Sequence, residues 1–154
     1  MLYLVPTPIG NLSDMTYRAV SVLKEADIIA CEDTRTSRTL LSHYDIGTPV
    51  TSYHEFNKLE KIEPLLTRLR EGQTVALITD AGTPGISDPG EELVKACYDE
   101  GIEVYALPGA CAAITAAVSS GQSTRRLCFE AFLPKDKKDR RRILEELSCE
   151  SRTI

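Results

Sequence analysis

No apolar run in this chain approaches the ~20 residues a membrane-spanning helix needs. The amino end, Met1-Leu2-Tyr3-Leu4-Val5-Pro6, has no basic region and stops too soon to be a signal peptide. The five cysteines (Cys31, Cys97, Cys111, Cys128, Cys149) are odd in number and form no CxxC, which argues against a disulfide framework and for reduced thiols in a cytoplasmic protein. Only two histidines are present, His43 and His54, and they make no metal motif with the cysteines. What remains is the composition of a soluble globular domain: 154 residues, 42% hydrophobic and 27% charged, enough for one domain with a core.

The common nucleotide and hydrolase signatures are missing too. Pro8-Ile9-Gly10 is not GxGxxG, no GxxxxGK[ST] occurs, and there is no GxSxG. Neither histidine has a nucleophile at a recognisable spacing. A ligand site without its own acid–base machinery fits group transfer from a bound cofactor better than hydrolysis.

What is present is an alternation. The runs Leu2–Val5, Ile28–Cys31, Val50–Tyr53, Thr74–Thr79 and Ile102–Leu107 read as five short strands. Helices lie between them. Ser13 or Asp14 is expected to cap the first, whose buried stripe is Ala19, Val20, Val22, Leu23 and Ala26. Thr34 or Thr36 opens the second; Lys58 to Arg70 is the third, stopped by Gly72; Glu91 to Glu100 is the fourth, and Ala110 to Ser119 a fifth, rich in alanine. Strands alternating with helices predict a parallel sheet with helices on both faces. The carboxyl ends of its strands gather Pro6–Asn11, Glu32–Arg35, His54–Asn57, Asp80–Gly90 and Pro108–Ala112 on one edge.

The longest of these stretches is Asp80-Ala81-Gly82-Thr83-Pro84-Gly85-Ile86-Ser87-Asp88-Pro89-Gly90. It reads either as an ordinary βα connection, for which about 2–6 residues suffice, or as a rigid ligand loop. Glycine lets backbone approach a ligand closely, and proline fixes the path. Open α/β sheets place ligands at this edge.

Past Gly121 the alternation breaks. Leu127 to Leu133 is expected to be a strand, and Asp136 to Leu147 a helix with Ile143, Leu144 and Leu147 inside. The chain then reaches Ile154 with the pattern of another strand beginning, which predicts a truncated chain: residues 1–122 a whole α/β domain, 123–154 a linker and the beginning of a second. Charge divides similarly. Residues 1–124 carry 9 Lys+Arg against 17 Asp+Glu, a net of −8, whereas residues 125–154 carry 9 against 6, a net of +3. The basic run Lys135–Arg142 reads equally as the solvated face of a helix and as a nucleic-acid contact.

The motifs Leu4-Val5-Pro6-Thr7-Pro8-Ile9-Gly10-Asn11-Leu12, Cys31-Glu32-Asp33-Thr34-Arg35, Asp80–Gly90 and Leu107-Pro108-Gly109-Ala110 together resemble the tetrapyrrole methylase superfamily. Within it they resemble the branch that methylates a ribose 2′-hydroxyl of small-subunit ribosomal RNA. Tetrapyrrole enzymes carry Gly-Asp-Pro where this chain has Gly82-Thr83-Pro84, and a glycine-rich first loop where it has Pro6–Asn11. One departure runs the other way: the RNA branch often has His-Glu-His-Asn, and here the segment is His54-Glu55-Phe56-Asn57.

The resemblance implies strand order 3-2-4-1-5 and S-adenosylmethionine bound in a cleft between two domains. The implied cofactor contacts are Ile9, Ala81, Gly82, Thr83, Ile86, Cys111 and Ala112. If a base is needed to take the hydroxyl proton, Glu32, Asp33 and Glu55 are candidates, each also readable as a cap or an RNA-loop contact. Arg35, Arg38, His54 and Asn57 are candidates for RNA, with surface salt bridges the plainer reading for the arginines. The implied partner is the small ribosomal subunit, the implied assembly a homodimer. Two other readings stay open: a methyltransferase of a corrinoid or porphyrin, and a cofactor-binding fragment unable to catalyse alone.

Overall fold

The computed structural model describes residues 1–154. The chain divides into two compact units, Met1–Cys111 and Ala112–Ile154. The division falls one helix earlier than the change in sequence character at residue 122.

The first unit is a five-stranded sheet of order β3-β2-β4-β1-β5, built from β1 (Leu2–Leu4), β2 (Ile28–Cys31), β3 (Val50–Ser52), β4 (Val75–Ile78) and β5 (Val104–Ala106). Every pairing is parallel. In the centre Leu4 is registered with Leu77 on one side and Ala106 on the other. All residues of β2 and β4 are buried, as their unbroken apolar sequence requires of strands covered on both faces. The edge strands β3 and β5 are partly exposed.

Four helices cover the sheet in pairs: α1 (Tyr17–Glu25), α2 (Thr34–His43), α3 (Lys58–Arg70) and α4 (Glu91–Asp99). Leu65, Leu66 and Leu69 of α3 and Leu93 and Cys97 of α4 form one core with Leu2, Ala30 and Leu77. Ala19 and Leu23 of α1 and Leu41 of α2 form the other with Val5, Ile29 and Ile78. Burial raises the thiol pKa of Cys31 and takes Cys97 to about 11, so both behave as small apolar core residues. α3 continues through Pro64, which removes one helical hydrogen bond. Three buried leucines on the following turns hold the helix in place.

The start of α1 differs from the sequence expectation. Neither Ser13 nor Asp14 caps it. A 3-10 turn over Leu12–Asp14 intervenes, capped by Asn11, and the Thr16 hydroxyl accepts from Ala19 N–H at 3.1 Å. α2 begins at Thr34, one of the two expected openings, and Asp33 caps it.

The second unit holds α5 (Ala112–Ser119) and α6 (Lys137–Leu147). The strand expected over Leu127 to Leu133 is a single parallel bridge, Leu127 with Thr153, flanked by Cys128 N–H to Thr153 C=O at 2.8 Å. Ala131, at φ +59°, turns the backbone out of the extended region. On α6, Ile143 and Leu147 are half-buried, but Leu144 is exposed, contrary to the expected apolar stripe. Asp136 caps this helix, and Arg141 and Arg142 pair with Glu145 and Glu146 one turn on. No helix of the chain is long and apolar enough to cross a membrane.

Leu93 is fully buried where α4 meets the sheet. Leu93→Ala is expected to lower unfolding stability by about 2–5 kcal/mol, read as a fall in urea midpoint at unchanged slope.

Candidate functional site

β1 and β4 lie side by side, yet the chain leaves them toward opposite faces. From β1 it passes to α1 and from β4 to α4, and these helices belong to different cores. Two neighbouring strands with diverging connections open a crevice beyond their carboxyl ends. Pro6–Asn11 and Asp80–Gly90 border it.

These loops are fastened to one another. Thr7 and Gly82 exchange two backbone hydrogen bonds, 2.9 and 3.0 Å, as an antiparallel bridge. The buried Thr7 hydroxyl donates to Thr79 C=O at 3.0 Å. Gly82 adopts φ +91°, a conformation side chains resist, and a Cβ there would stand 3.4 Å from Ile9 Cγ2. The Thr83 hydroxyl donates to Ala110 C=O at 3.1 Å, joining the loop after β5. A Cβ at Gly109 would lie 2.6 Å from Pro6 Cβ, so only glycine permits that approach.

Four carboxylates stand on the same edge. Thr79 gives its hydroxyl to Glu32 Oε2 at 3.1 Å. Asp33 caps α2 and takes a forked pair of bonds from Arg35 at 3.2 and 2.7 Å, which holds its pKa down at about 2. Asp33 N–H donates to Asp80 Oδ1 at 3.3 Å, while Asp80 Oδ2 takes no hydrogen bond from the chain. Burial raises the pKa of Asp80, with the charges of Glu32 and Asp33 adding to it; burial likewise raises Asp88. Asp80 also lines a cavity of about 420 Å³ with Pro8, Gly10, Asn11, Thr36 and Thr39.

Of the residues singled out in the sequence, Ile9, Gly82 and Thr83 meet in this cluster. Ala81 and Ile86 lie on the surface of the same loop, and Cys111 is half-buried at the end of the loop after β5. Ala112 is the first residue of α5. Glu32 and Asp33 adjoin the β4 loop through Thr79 and Asp80. His54, Glu55 and Asn57 follow β3, two strand spacings from β4 and so ~10 Å across the sheet. The Asn57 side chain is engaged in shaping its own loop, accepting from His54 N–H at 2.8 Å and donating to Ser52 Oγ at 3.1 Å. Glu55 is paired with Lys58 at 2.9 Å, and Lys58 also pairs with Glu92. Arg35 is held by Asp33, whereas Arg38 is exposed and makes no salt bridge. Sequence reading assigned no role to Thr7, Thr79, Asp80 or Asp88. All lie inside the quoted motifs, but which of their side chains converge is a property of the sheet.

The family model for tetrapyrrole (corrin/porphyrin) methylases matches residues 1–154. The chain belongs to this family. Among curated relatives, it is 53% identical over 154 residues to the "Ribosomal RNA small subunit methyltransferase I" of Synechocystis sp., covering 100% of this chain and 55% of that protein. It is 50% identical over 153 residues to the protein of the same name from Escherichia coli O157:H7, covering 99% of this chain and 54% of that one. The methylase-family chain thus spans about half the length of the curated relatives it matches. Among solved structures, uroporphyrin-III C-methyltransferase from Thermus thermophilus aligns with TM-score 0.59 and 25% identity over 79% of this chain and 53% of that one. A cobalt precorrin-4 methyltransferase aligns with TM-score 0.63 and 22% identity over 87% of this chain and 60% of that one.

The raised pKa of Asp88 gives a pH test with a definite sign. The folded state holds this proton more tightly than the unfolded chain. Asp88 therefore favours the fold below the ordinary aspartate range and costs stability as pH rises through its folded-state pKa. Asp88→Asn is expected to unfold at a higher urea concentration than the parent at pH 7, with the gap closing near pH 3.

Proposed function

We propose that the protein is an S-adenosylmethionine-dependent methyltransferase acting on a ribose 2′-hydroxyl of small-subunit ribosomal RNA. One observation carries the proposal: about half of all positions along the whole chain match proteins named for methylation of that RNA. Identity to the porphyrinoid and corrinoid enzymes is 22–25%. Residues 1–122 would form the cofactor-binding domain and residues 123–154 a linker and the start of a second domain. A homodimer working in the cytoplasm is part of the same reading.

The crevice suits the cofactor. Gly82 takes φ +91°, which only glycine adopts easily, and lies against Ile9. Its own N–H and C=O are bonded to Thr7, so the donors left to a ligand are those of Ala81 and Thr83, neither of which bonds within the chain. Ile9 and Ile86 supply apolar wall, and Cys111 closes the β5 side. Ala112 keeps its place by motif alone. When bound, the cofactor supplies an activated methyl group on a sulfonium. What falls to this chain is to orient that methyl toward the hydroxyl and keep water away. Arg38 is the available phosphate contact among the residues named for RNA, since Arg35 and Asn57 are engaged within the chain.

Gly82→Val tests the crevice. Strain at φ +91° and contact with Ile9 are expected to weaken cofactor binding at least a hundredfold by calorimetry, while far-ultraviolet circular dichroism stays that of the parent. The substrate is tested with tritiated cofactor, supplying the full-length gene product with small ribosomal subunits or with a porphyrinogen. Label in a ribose 2′-position of the RNA is expected. Label in the porphyrinogen alone would overturn the reading.

A further inference from the structure

We propose that Asp80 is the proton acceptor for the substrate hydroxyl, reaching it from the cavity between the first-strand loop and α2. This inference rests on the methyl-transfer reading above.

Methylating an alcohol requires its proton to go somewhere. The oxygen forms a bond to the methyl carbon, the methyl–sulfur bond breaks with its electron pair left on sulfur, and the hydroxyl proton passes to a base. The chain offers few groups for this. His54 follows the edge strand β3, as does Glu55, which is already paired with Lys58. Asp33 is neutralised by the forked Arg35 contact, and its low pKa makes it a poor base. Glu32 takes the Thr79 hydroxyl on one oxygen and, unlike Asp80, does not line the cavity beside the first-strand loop.

Asp80 meets each requirement. It directly precedes Ala81-Gly82-Thr83, the segment proposed to hold the cofactor. One oxygen is fixed by the Asp33 N–H at 3.3 Å, which sets the direction of the carboxylate, and the other has no partner in the chain. It lines a cavity of about 420 Å³ whose remaining walls are neutral: Pro8, Gly10, Asn11, Thr36 and Thr39. That space accommodates a nucleoside-sized group, and Asn11 and the threonines offer hydrogen bonds to a sugar. The charged groups facing Asp80 are Glu32 and Asp33 after β2 and Asp88 in its own loop; the Cys31 thiol is also near. Arg35 is spent on Asp33. Burial, with the negative charges of Glu32 and Asp33 adding to it, keeps the Asp80 carboxylate more basic than an ordinary aspartate, the direction a general base needs.

Two measurements on the full-length gene product test the role. In single turnover with excess cofactor and small ribosomal subunits, Asp80→Asn is expected to slow methyl transfer by about 10²–10⁴-fold. Cofactor affinity should stay within about twofold, and the parent's rise in rate with pH through the Asp80 pKa should disappear. A loss under tenfold, or a pH profile unchanged in the variant, would overturn the proposal. The second measurement needs no turnover and no variant: carbon NMR titration of the Asp80 carboxyl with S-adenosylmethionine or with S-adenosylhomocysteine bound. A carboxylate facing the reacting centre senses the sulfonium charge, so its proton affinity should be lower with the methyl donor by about threefold or more. Equal values would remove Asp80 from the reaction centre even if methyl transfer were intact. Failure of either cofactor form to bind would instead overturn the functional reading, and this inference with it.

Discussion

Two hydrogen bonds between Thr7 and Gly82 govern how the carboxyl edge of this sheet is arranged. The strands they follow, β1 and β4, send the chain to opposite faces. Without the bridge the two loops would diverge and leave an open trough. With it, the backbone of the long loop is pinned above the crevice, and Gly82 must take a conformation that only glycine adopts easily. The remaining contacts build on this: Thr7 to Thr79, Thr83 to Ala110, and Gly109 against Pro6. The rigidity of the loop comes from these cross-connections, with its glycines and prolines permitting them.

The bridge also sets the electrostatics. By fixing the path out of β4 it places Asp80 beside the loop after β2, where Asp33 N–H holds one oxygen. Three of the carboxylates then separate in character. Asp33 is pulled down by Arg35, while Asp80 and Asp88 are pushed up by burial, with the charges of Glu32 and Asp33 adding at Asp80 and the charge of Asp80 adding at Asp88. These carboxylates give the rim of the crevice a negative charge. The residues after position 124 carry a net positive charge instead.

Much of the fold was legible beforehand. Ile28–Cys31 and Val75–Ile78 are apolar without a break because a parallel strand in mid-sheet is covered on both faces, and that constraint writes itself into consecutive residues. The helix from Lys58 to Arg70 was equally plain. Local rules failed where competing local partners existed. Four polar residues between Asn11 and Thr16 could each cap a helix, and the choice of Thr16 depends on where the core pulls α1. The expectation of a strand over Leu127 to Leu133 failed for a different reason: apolar sequence alone supplies no hydrogen-bonding partner, and Ala131 leaves the extended region.

For the site, the sequence by itself determined the loop of small residues, the family resemblance and the edge on which the loops gather. Each depends on residue type and order along the chain. The tertiary structure decided which side chains remain available. Glu55 and Asn57 read as candidates in the sequence but are engaged near the edge strand, while Asp80, a plain loop acid by sequence, is left with one oxygen toward a cavity. Availability is set by neighbours brought from 47 positions away, as in the contact of Asp33 with Asp80. No local pattern encodes a contact that exists only once β2 lies beside β4.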